Sequence, residues 1–323
     1  MTLAALGDLH LESGEAIHDF QQSYVVHGEP KPDGSNVVLV CSSLTGNHKR
    51  LDFLIGPALA LDPAICCVVA TDAIGNGLTT SPSNSKSQPG MKFPRFTLRD
   101  MVHAQHRLVT EHLGFTTLHA VVGASMGGMQ ALQWGVSHPE LMRALVAMTP
   151  MAKTHPWAAL VVATARACLM ADPAWTGDGF SGRPTRGWRA YAGLMNALLM
   201  RTPSVALERD LDEFVAQVEA HGFDAHDYLY QSWAYEAHDV GTTPGYDGVT
   251  SRALAAIRAK ALLLAPPQDL FNPSGAASEA AAAIPGARFE EIPSTRGHQA
   301  ATKESATGVA FLNGTIGAFL GGC

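Results

Sequence analysis

The feature that most constrains the fold is a glycine-rich turn between a strand pattern and a helix pattern. The apolar run 118–122 leads into 123–128, which reads G-A-S-M-G-G, and a helical pattern follows at once. In a G-x-S-x-G turn of this kind the serine is strained, and the flanking glycines remove Cβ atoms that would clash. We therefore predict that Ser125 is a nucleophile pointing out of a sheet. The alternative is a turn that only packs a helix against a strand.

Short apolar runs typical of buried strands recur along the chain and alternate with helical patterns. The predicted strands are 23–26, 37–40, 66–70, 118–122, 144–148, 261–265 and 288–292, and the clearest helices are 98–113 and 127–138. This alternation predicts an α/β fold with a mostly parallel, doubly wound sheet covered on both faces. In such sheets, ligands bind at the carboxyl ends of the strands.

One long segment interrupts the alternation. Residues 153–248 carry helical patterns with many aromatic side chains and no convincing strand. We interpret 153–248 as a helical lid inserted into a core formed by 1–152 and 249–323, and we expect this lid to roof the pocket. The alternative is a separate helical domain without a catalytic role.

A serine nucleophile needs a histidine base and an orienting carboxylate, which follow it in the order Ser, Asp, His in sheets of this type. Asp269 comes just after the predicted strand 261–265, and His298 comes just after 288–292. Because the carboxyl ends of parallel strands share one edge, the sequence predicts a triad of Ser125, Asp269 and His298.

Other candidates for these roles have weaker support. Asp239 and Asp247 are competing acids, but neither directly follows a predicted strand, and Asp239 is better explained as a salt link or a helix cap. His103 and His106 lie three apart on a helix, yet no further ligand stands out beside them. We therefore expect no metal and no cofactor.

The tetrahedral intermediate of acyl transfer needs two backbone N–H donors for its oxyanion. One is the N–H of Met126, directly after the nucleophile. The loop after strand 37–40 lies where the second must originate, and we assign it to Leu44. The alternative for this loop is a Ser/Gly turn without a catalytic duty.

Composition excludes several classes of partner. The net charge is −7 and the basic residues are dispersed, which argues against nucleic acid and anionic membranes. The N-terminus lacks a signal-peptide pattern, and the apolar runs are too short to span a bilayer. The five cysteines show no metal spacing and are expected to be small buried hydrophobes in a reducing, cytoplasmic compartment.

The chain resembles the homoserine O-acetyltransferase branch of the α/β-hydrolases over nearly its full length. The matching residues are Leu44-Thr45-Gly46, Phe93-Pro94, Thr97-Leu98-Arg99-Asp100, the block 123–134, Phe223-Asp224-Ala225, Tyr228-Leu229-Tyr230, Asp269-Leu270-Phe271 and Gly297-His298. The resemblance implies the Ser125–Asp269–His298 triad, a helical lid and acyl-enzyme chemistry without a metal. It also implies a homodimer formed through the lid helices.

The chain departs from that family at the amino-acid substrate. The family holds the amine with an acid directly after the catalytic histidine, where this chain has Gln299. The family holds the carboxylate with an arginine and a tyrosine on a lid helix; an ungapped alignment puts Ala192 and Leu199 there, and a shift of a few residues brings in Tyr191 or Arg201. Burying an unpaired charge costs several kcal/mol, so homoserine is a poor candidate substrate.

Three functions remain open at this stage. The first is a carboxylic ester hydrolase that acts on small, largely uncharged acyl esters. The second is an acyl-CoA-dependent O-acyltransferase whose acceptor is not homoserine. The third is a binding protein on a retired hydrolase scaffold, which the presence of all three triad residues disfavours.

Overall fold

The computed structural model of the protein describes all 323 residues and contains a single eight-stranded sheet. The strands are β1 (Thr2–His10), β2 (Ala16–His27), β3 (Val37–Cys41), β4 (Cys67–Thr71), β5 (Leu118–Ala124), β6 (Met142–Met148), β7 (Lys260–Ala265) and β8 (Arg288–Glu291). They lie in the order β1-β2-β4-β3-β5-β6-β7-β8. Strands β3 to β8 pair in parallel, while β1 and β2 form an antiparallel edge. The predicted mostly parallel sheet is confirmed.

The antiparallel edge is the part of the sheet that the sequence prediction missed. Strand β1 was not predicted at all, and β2 begins at Ala16 rather than at residue 23. In β1 the buried residues Ala4, Leu6 and Leu9 are separated by exposed ones, because an edge strand packs only one face on the core. A search for continuous apolar runs detects buried central strands but passes over such a pattern.

Ten α-helices accompany the sheet. They are α1 (Leu98–Arg107), α2 (Met126–Ser137), α3 (Pro156–Met170), α4 (Thr185–Tyr191), α5 (Pro203–Ala206), α6 (Leu211–His221), α7 (Ala225–Glu236), α8 (Thr250–Ala255), α9 (Ser274–Ala283) and α10 (Ala306–Gly321). A capping box between Thr97 and Asp100 fixes the start of α1, which continues as a π-helical turn over Leu108–His112. None of the helices combines the length and the apolar character that a membrane span requires.

The core has two layers, one on each face of the sheet. Val38 and Val40 of β3 face a layer that includes Leu312 and Ile316 of α10. The alternate residues Val37, Leu39 and Cys41 face the larger layer, which includes Trp134 of α2. This alternation along a strand covered on both sides is what a doubly wound sheet requires.

The chain between β6 and β7 forms α3 to α8 and adds no strand to the sheet. Its helices differ in burial. Helix α7 is buried over most of its length, whereas α6 buries only Phe214 and Val218. A π-helical turn over Ala192–Leu199 extends α4. The division into core 1–152 and 249–323 and lid 153–248 stays a prediction.

Candidate active site

The turn between β5 and α2 holds Ser125 in a strained backbone conformation, with φ of 56° and ψ of −123°. A Cβ on Gly123 would lie 2.0 Å from the carbonyl oxygen of Gly127, and a Cβ on Gly127 would lie 2.3 Å from that of Cys41. Both positions therefore require glycine. The N–H of Ser125 donates to the carbonyl oxygen of Met148 at 2.9 Å, which fixes the turn against the end of β6.

The three residues predicted as a triad meet at the carboxyl edge of the sheet. His298 Nε2 lies 2.9 Å from Ser125 Oγ, and His298 Nδ1 lies 2.7 Å from Asp269 Oδ2. Ser125 is 4% exposed and His298 is 1% exposed. Because a carboxylate only accepts, Nδ1–H donates to Asp269, and Nε2 is left to accept the serine proton.

The loop after β7 orients the carboxylate of Asp269. Its Oδ1 accepts the N–H groups of Phe271 and Asn272, at 2.9 and 2.8 Å, so Oδ2 is directed at the histidine. The ring of Phe271 packs edge-on against the imidazole of His298, with 5.1 Å between centroids. Both the acid and the base are thus held from more than one side.

The competing acids lie elsewhere and have other partners. Asp239 accepts the N–H of Gly241 at 2.7 Å and forms an ion pair with Lys153 at 3.0 Å, so it acts as a cap and a salt link. Asp247 pairs with Arg252 on the surface. His106, one of the two histidines considered as metal ligands, stacks on His138 with 4.0 Å between the ring centroids. No group of metal-ligating side chains forms there.

The loop after β3 lies against the nucleophile turn. Ser43 Oγ donates to the carbonyl oxygen of Ala124 at 2.7 Å, directly before Ser125. Leu44 lines the same cavity as Ser125, and its N–H donates to no atom of the chain. Met126 is the first residue of α2, so its N–H belongs to the positive end of that helix. The oxyanion-hole assignment of Leu44 and Met126 stays a prediction.

Two buried side chains of α7 reach these loops, and sequence reasoning missed both. Gln231 Oε1 accepts the N–H of Thr45 at 3.0 Å. The hydroxyl of Tyr235 donates to Asn272 Oδ1. Burial raises the pKa of Tyr235 and the Asp269 charge raises it further, whereas hydrogen bonding to Asn272 and Ser125 lowers it. The sequence offers one signal for these residues: two polar side chains four residues apart, which lie on the same face of a helix.

The triad opens into a cavity of about 650 Å³. Apolar lining comes from Tyr191, Met195, Met200 and Phe271. A smaller adjoining cavity of about 150 Å³ shares Tyr191 and Gln299 with it. The rest of the lining of the larger cavity is mostly polar or charged, so this cavity has a mixed wall in which an apolar part lies beside polar side chains.

The four proposed substrate contacts have different positions. Gln299 and Tyr191 line both cavities. Arg201 lines the smaller cavity, but it is buried and donates to both carboxylate oxygens of Glu304, at 3.1 and 2.9 Å, and to the carbonyl oxygen of Asn196. Leu199 lines neither cavity and packs against the larger core layer instead.

Comparisons with known proteins agree with this architecture. Residues 36–300 match the family model of the alpha/beta hydrolase fold. A homoserine O-acetyltransferase of Methanocorpusculum labreanum is 32% identical over 97% of this chain and 71% of its own length. The structure of the acetyl esterase MekB superposes with a TM-score of 0.93 at 27% identity, covering 99% of this chain and 96% of the other.

A second solved structure gives the same picture. An acetylester hydrolase from Corynebacterium glutamicum superposes with a TM-score of 0.93 at 27% identity, covering 99% of this chain and 95% of the other. The similarity therefore spans both the sheet and the helices between β6 and β7. The chain is an enzyme of the α/β-hydrolase fold family and belongs to the branch of that family that contains the homoserine O-acetyltransferases.

Proposed function

We propose that the protein is a carboxylic ester hydrolase that acts on small acyl esters through an acyl-enzyme on Ser125. The observation that carries the proposal is the contiguous pair of hydrogen bonds from Ser125 through His298 to Asp269, next to a cavity whose wall is partly apolar. The likeness to the acetyl esterase MekB and to the acetylester hydrolase supports the same reaction class.

The first half-reaction forms the acyl-enzyme. Ser125 Oγ attacks the ester carbonyl while His298 Nε2 takes the serine proton, and Asp269 stabilises the resulting imidazolium. The N–H groups of Leu44 and Met126 bind the oxyanion, and one such donor is worth about 10²- to 10³-fold in rate. The intermediate collapses when the ester C–O bond breaks and His298 returns the proton to the leaving alcohol.

The second half-reaction returns the free enzyme. Water gives a proton to His298 and attacks the acyl-serine carbonyl. The second tetrahedral intermediate collapses when the bond from its carbon to Ser125 Oγ breaks and His298 returns the proton to Oγ, which releases the acid. An ordinary alcohol acceptor would follow the same path in place of water. The two functions differ only in this second nucleophile.

The charges around the cavity argue against homoserine as the acceptor. Its ammonium has Gln299 rather than an acid beside the catalytic histidine. Its carboxylate would have to compete with Glu304 for Arg201, whose terminal nitrogens are both occupied. Neither Gln299 nor Arg201 offers a free charge there, so the desolvation of a charged substrate is not compensated at these two positions, and discrimination against homoserine should be large.

One observation favours an O-acyltransferase as the second candidate. Lys49 and Lys303 line the triad cavity and are exposed to solvent. Two cations there suit an acyl donor that carries phosphate groups, such as an acyl-CoA. The acceptor would then be an alcohol without the charges of homoserine.

The discriminating experiment supplies p-nitrophenyl acetate and acetyl-CoA separately, each with and without homoserine. We expect acetate and p-nitrophenol from the ester at a rate that homoserine does not change, with little release of free CoA. Ser125→Ala is the blank for spontaneous hydrolysis. Efficient formation of O-acetylhomoserine by the unmodified protein would return the chain to the acetyltransferases proper.

A further inference from the structure

Helix α7 places one fully buried amide side chain between two loops at the carboxyl edge of the sheet. Gln231 Oε1 accepts the N–H of Thr45 at 3.0 Å, and Gln231 Nε2 donates to the carbonyl oxygen of Ile74 at 3.0 Å. Gln231 is 0% exposed; its bond to Ile74 is buried, and its bond to Thr45 is partly buried at the cavity wall. Thus it ties the loop after β3 to the loop after β4.

The residue that Gln231 holds is strained. Thr45 has φ of 57°, in the left-handed region that β-branched residues rarely adopt. A half-turn of the Leu44–Thr45 peptide plane would bring φ of Thr45 back to a negative value, which β-branched residues prefer. The same half-turn would remove its N–H from Gln231. The hydrogen bond to Gln231 therefore opposes the relaxation of this loop.

The strained residue directly follows the candidate oxyanion donor. Leu44 lies between two anchors, the bond from Ser43 Oγ to the carbonyl oxygen of Ala124 and the bond from Thr45 to Gln231. The first anchor attaches the loop to the nucleophile turn. The second fixes the peptide on the other side of Leu44. With both in place, the direction of the Leu44 N–H is set before substrate arrives, which is what electrostatic preorganisation requires.

We propose that Gln231 is a positioning residue of the oxyanion hole, acting through Thr45 on the N–H of Leu44. The proposal rests on the acyl-enzyme function proposed above and adds a residue from outside the triad and its loops. Gln231 touches no reacting atom in this account. Its contribution is confined to the stabilisation of tetrahedral intermediates, so it should affect kcat more than KM.

The test compares Gln231→Met with Gln231→Glu. Methionine keeps the length of the side chain and removes both hydrogen bonds. Glutamate, when protonated in this buried site, can still accept from Thr45 and donate to Ile74. We expect Gln231→Met to lower kcat for p-nitrophenyl acetate about 10- to 100-fold with KM little changed. Gln231→Glu keeps an acceptor for the Thr45 N–H whether or not the acid is ionised, so it should retain most of the kcat that Gln231→Met loses.

The second readout is inhibition by trifluoroacetophenone, a ketone to which a serine adds to give a tetrahedral adduct with an oxyanion. If Gln231 acts through the oxyanion hole, Gln231→Met weakens this inhibition by about the same factor by which it lowers kcat. A purely structural role would not link the two numbers. Ser232→Ala, at a buried neighbour on α7 whose hydroxyl bonds Leu229 and Arg166, is the matched control and should change neither.

Two results would overturn the proposal. One is a folded Gln231→Met protein with unchanged kcat; the other is a loss of kcat without a parallel loss of trifluoroacetophenone inhibition. If Gln231→Met does not fold, Gln231→Glu decides, because it keeps the acceptor for Thr45: a folded Gln231→Glu protein whose kcat falls about 10-fold or more refutes the role. Retained activity in Ser125→Ala would instead refute the acyl-enzyme itself, so the two failures are distinguishable.

Discussion

Helices α6 and α7 belong to the same insertion but meet the active site in different ways. Helix α7 is buried along most of its length, and its side chains Gln231 and Tyr235 bond the loops after β3 and β7. Helix α6 is largely exposed and presents Gln217 and His221 to the cavity. Helix α7 thus helps to hold the loops that carry the catalytic residues, which we call the catalytic frame. Helix α6 instead forms part of the cavity lining, which we call the pocket wall. Changes in the frame should act on kcat, and changes in the wall should act on substrate preference.

The largest effect is expected for the acid of the frame. Asp269→Asn should lower kcat/KM by about 10⁴-fold, because an amide in place of Oδ2 stabilises the wrong tautomer of His298. Steady-state hydrolysis of p-nitrophenyl acetate measures the effect. Asp239→Asn serves as the control, since that carboxylate caps a turn and pairs with Lys153. A severe loss at Asp239 with a mild one at Asp269 would mean that the acid has been misassigned.

The second effect concerns the stability of α7. Burial raises the pKa of Asp227, in the first turn of α7, to about 7. Its folded-state pKa exceeds its unfolded value, so the folded protein binds the proton more tightly. This proton stabilises the folded protein below about pH 4, and the stabilisation is lost as the pH rises towards 7. The unfolding free energy lost over this range is a few kcal/mol at most.

Asp227→Asn should remove this dependence, since an amide can still accept the N–H of Ser83 and pair with its hydroxyl. Chemical denaturation at pH 5 and pH 8 measures the difference in unfolding free energy. Asp210→Asn, at the N-cap of the exposed helix α6, controls for the loss of an acidic side chain. If the unfolding free energy of Asp227→Asn depends on pH as that of the unmodified protein does, the buried Asp227 of α7 is not the group responsible.

A smaller effect is expected at Tyr235. Tyr235→Phe keeps the stacking on Phe271, with centroids 5.5 Å apart, and deletes the hydrogen bond to Asn272, which orders the loop of Asp269. The loss of one such bond should lower kcat about 10-fold. Tyr230→Phe on the same helix is the control, since its hydroxyl bonds Phe93 and Met91 away from Ser125. Equal losses in both variants would indicate a general loosening of α7.

The smallest effect belongs to the pocket wall. Gln299→Asp places an acid directly after His298 and supplies a partner for an ammonium group. We expect homoserine recognition to improve only a few-fold, because the carboxylate would still find Arg201 occupied by Glu304. Acetyl transfer from acetyl-CoA to homoserine, followed by release of CoA, measures the change. A large gain would show that a single charge separates this chain from the acetyltransferases.

The sequence predicted the triad because each member has a local signal. Ser125 lies in a glycine-rich turn, Asp269 follows the apolar run of β7, and His298 follows β8, a short strand with a mostly polar sequence. Gln231 and Tyr235 have no such signal. Their partners lie in loops more than thirty residues away in sequence, and only the docking of α7 brings them together. The edge strand β1 was missed for a different reason, since its one-sided burial leaves no apolar run.

The central claim is that Ser125 carries the acyl group during turnover. The direct measurement mixes the protein with p-nitrophenyl acetate, quenches with acid within the first turnovers, and locates the label by peptide mass spectrometry. We expect one acetyl group on Ser125 that forms at least as fast as steady-state turnover and is absent from Ser125→Ala. Normal turnover with no acetyl group on Ser125, or with the label on another residue that turns over at the steady-state rate, would contradict it.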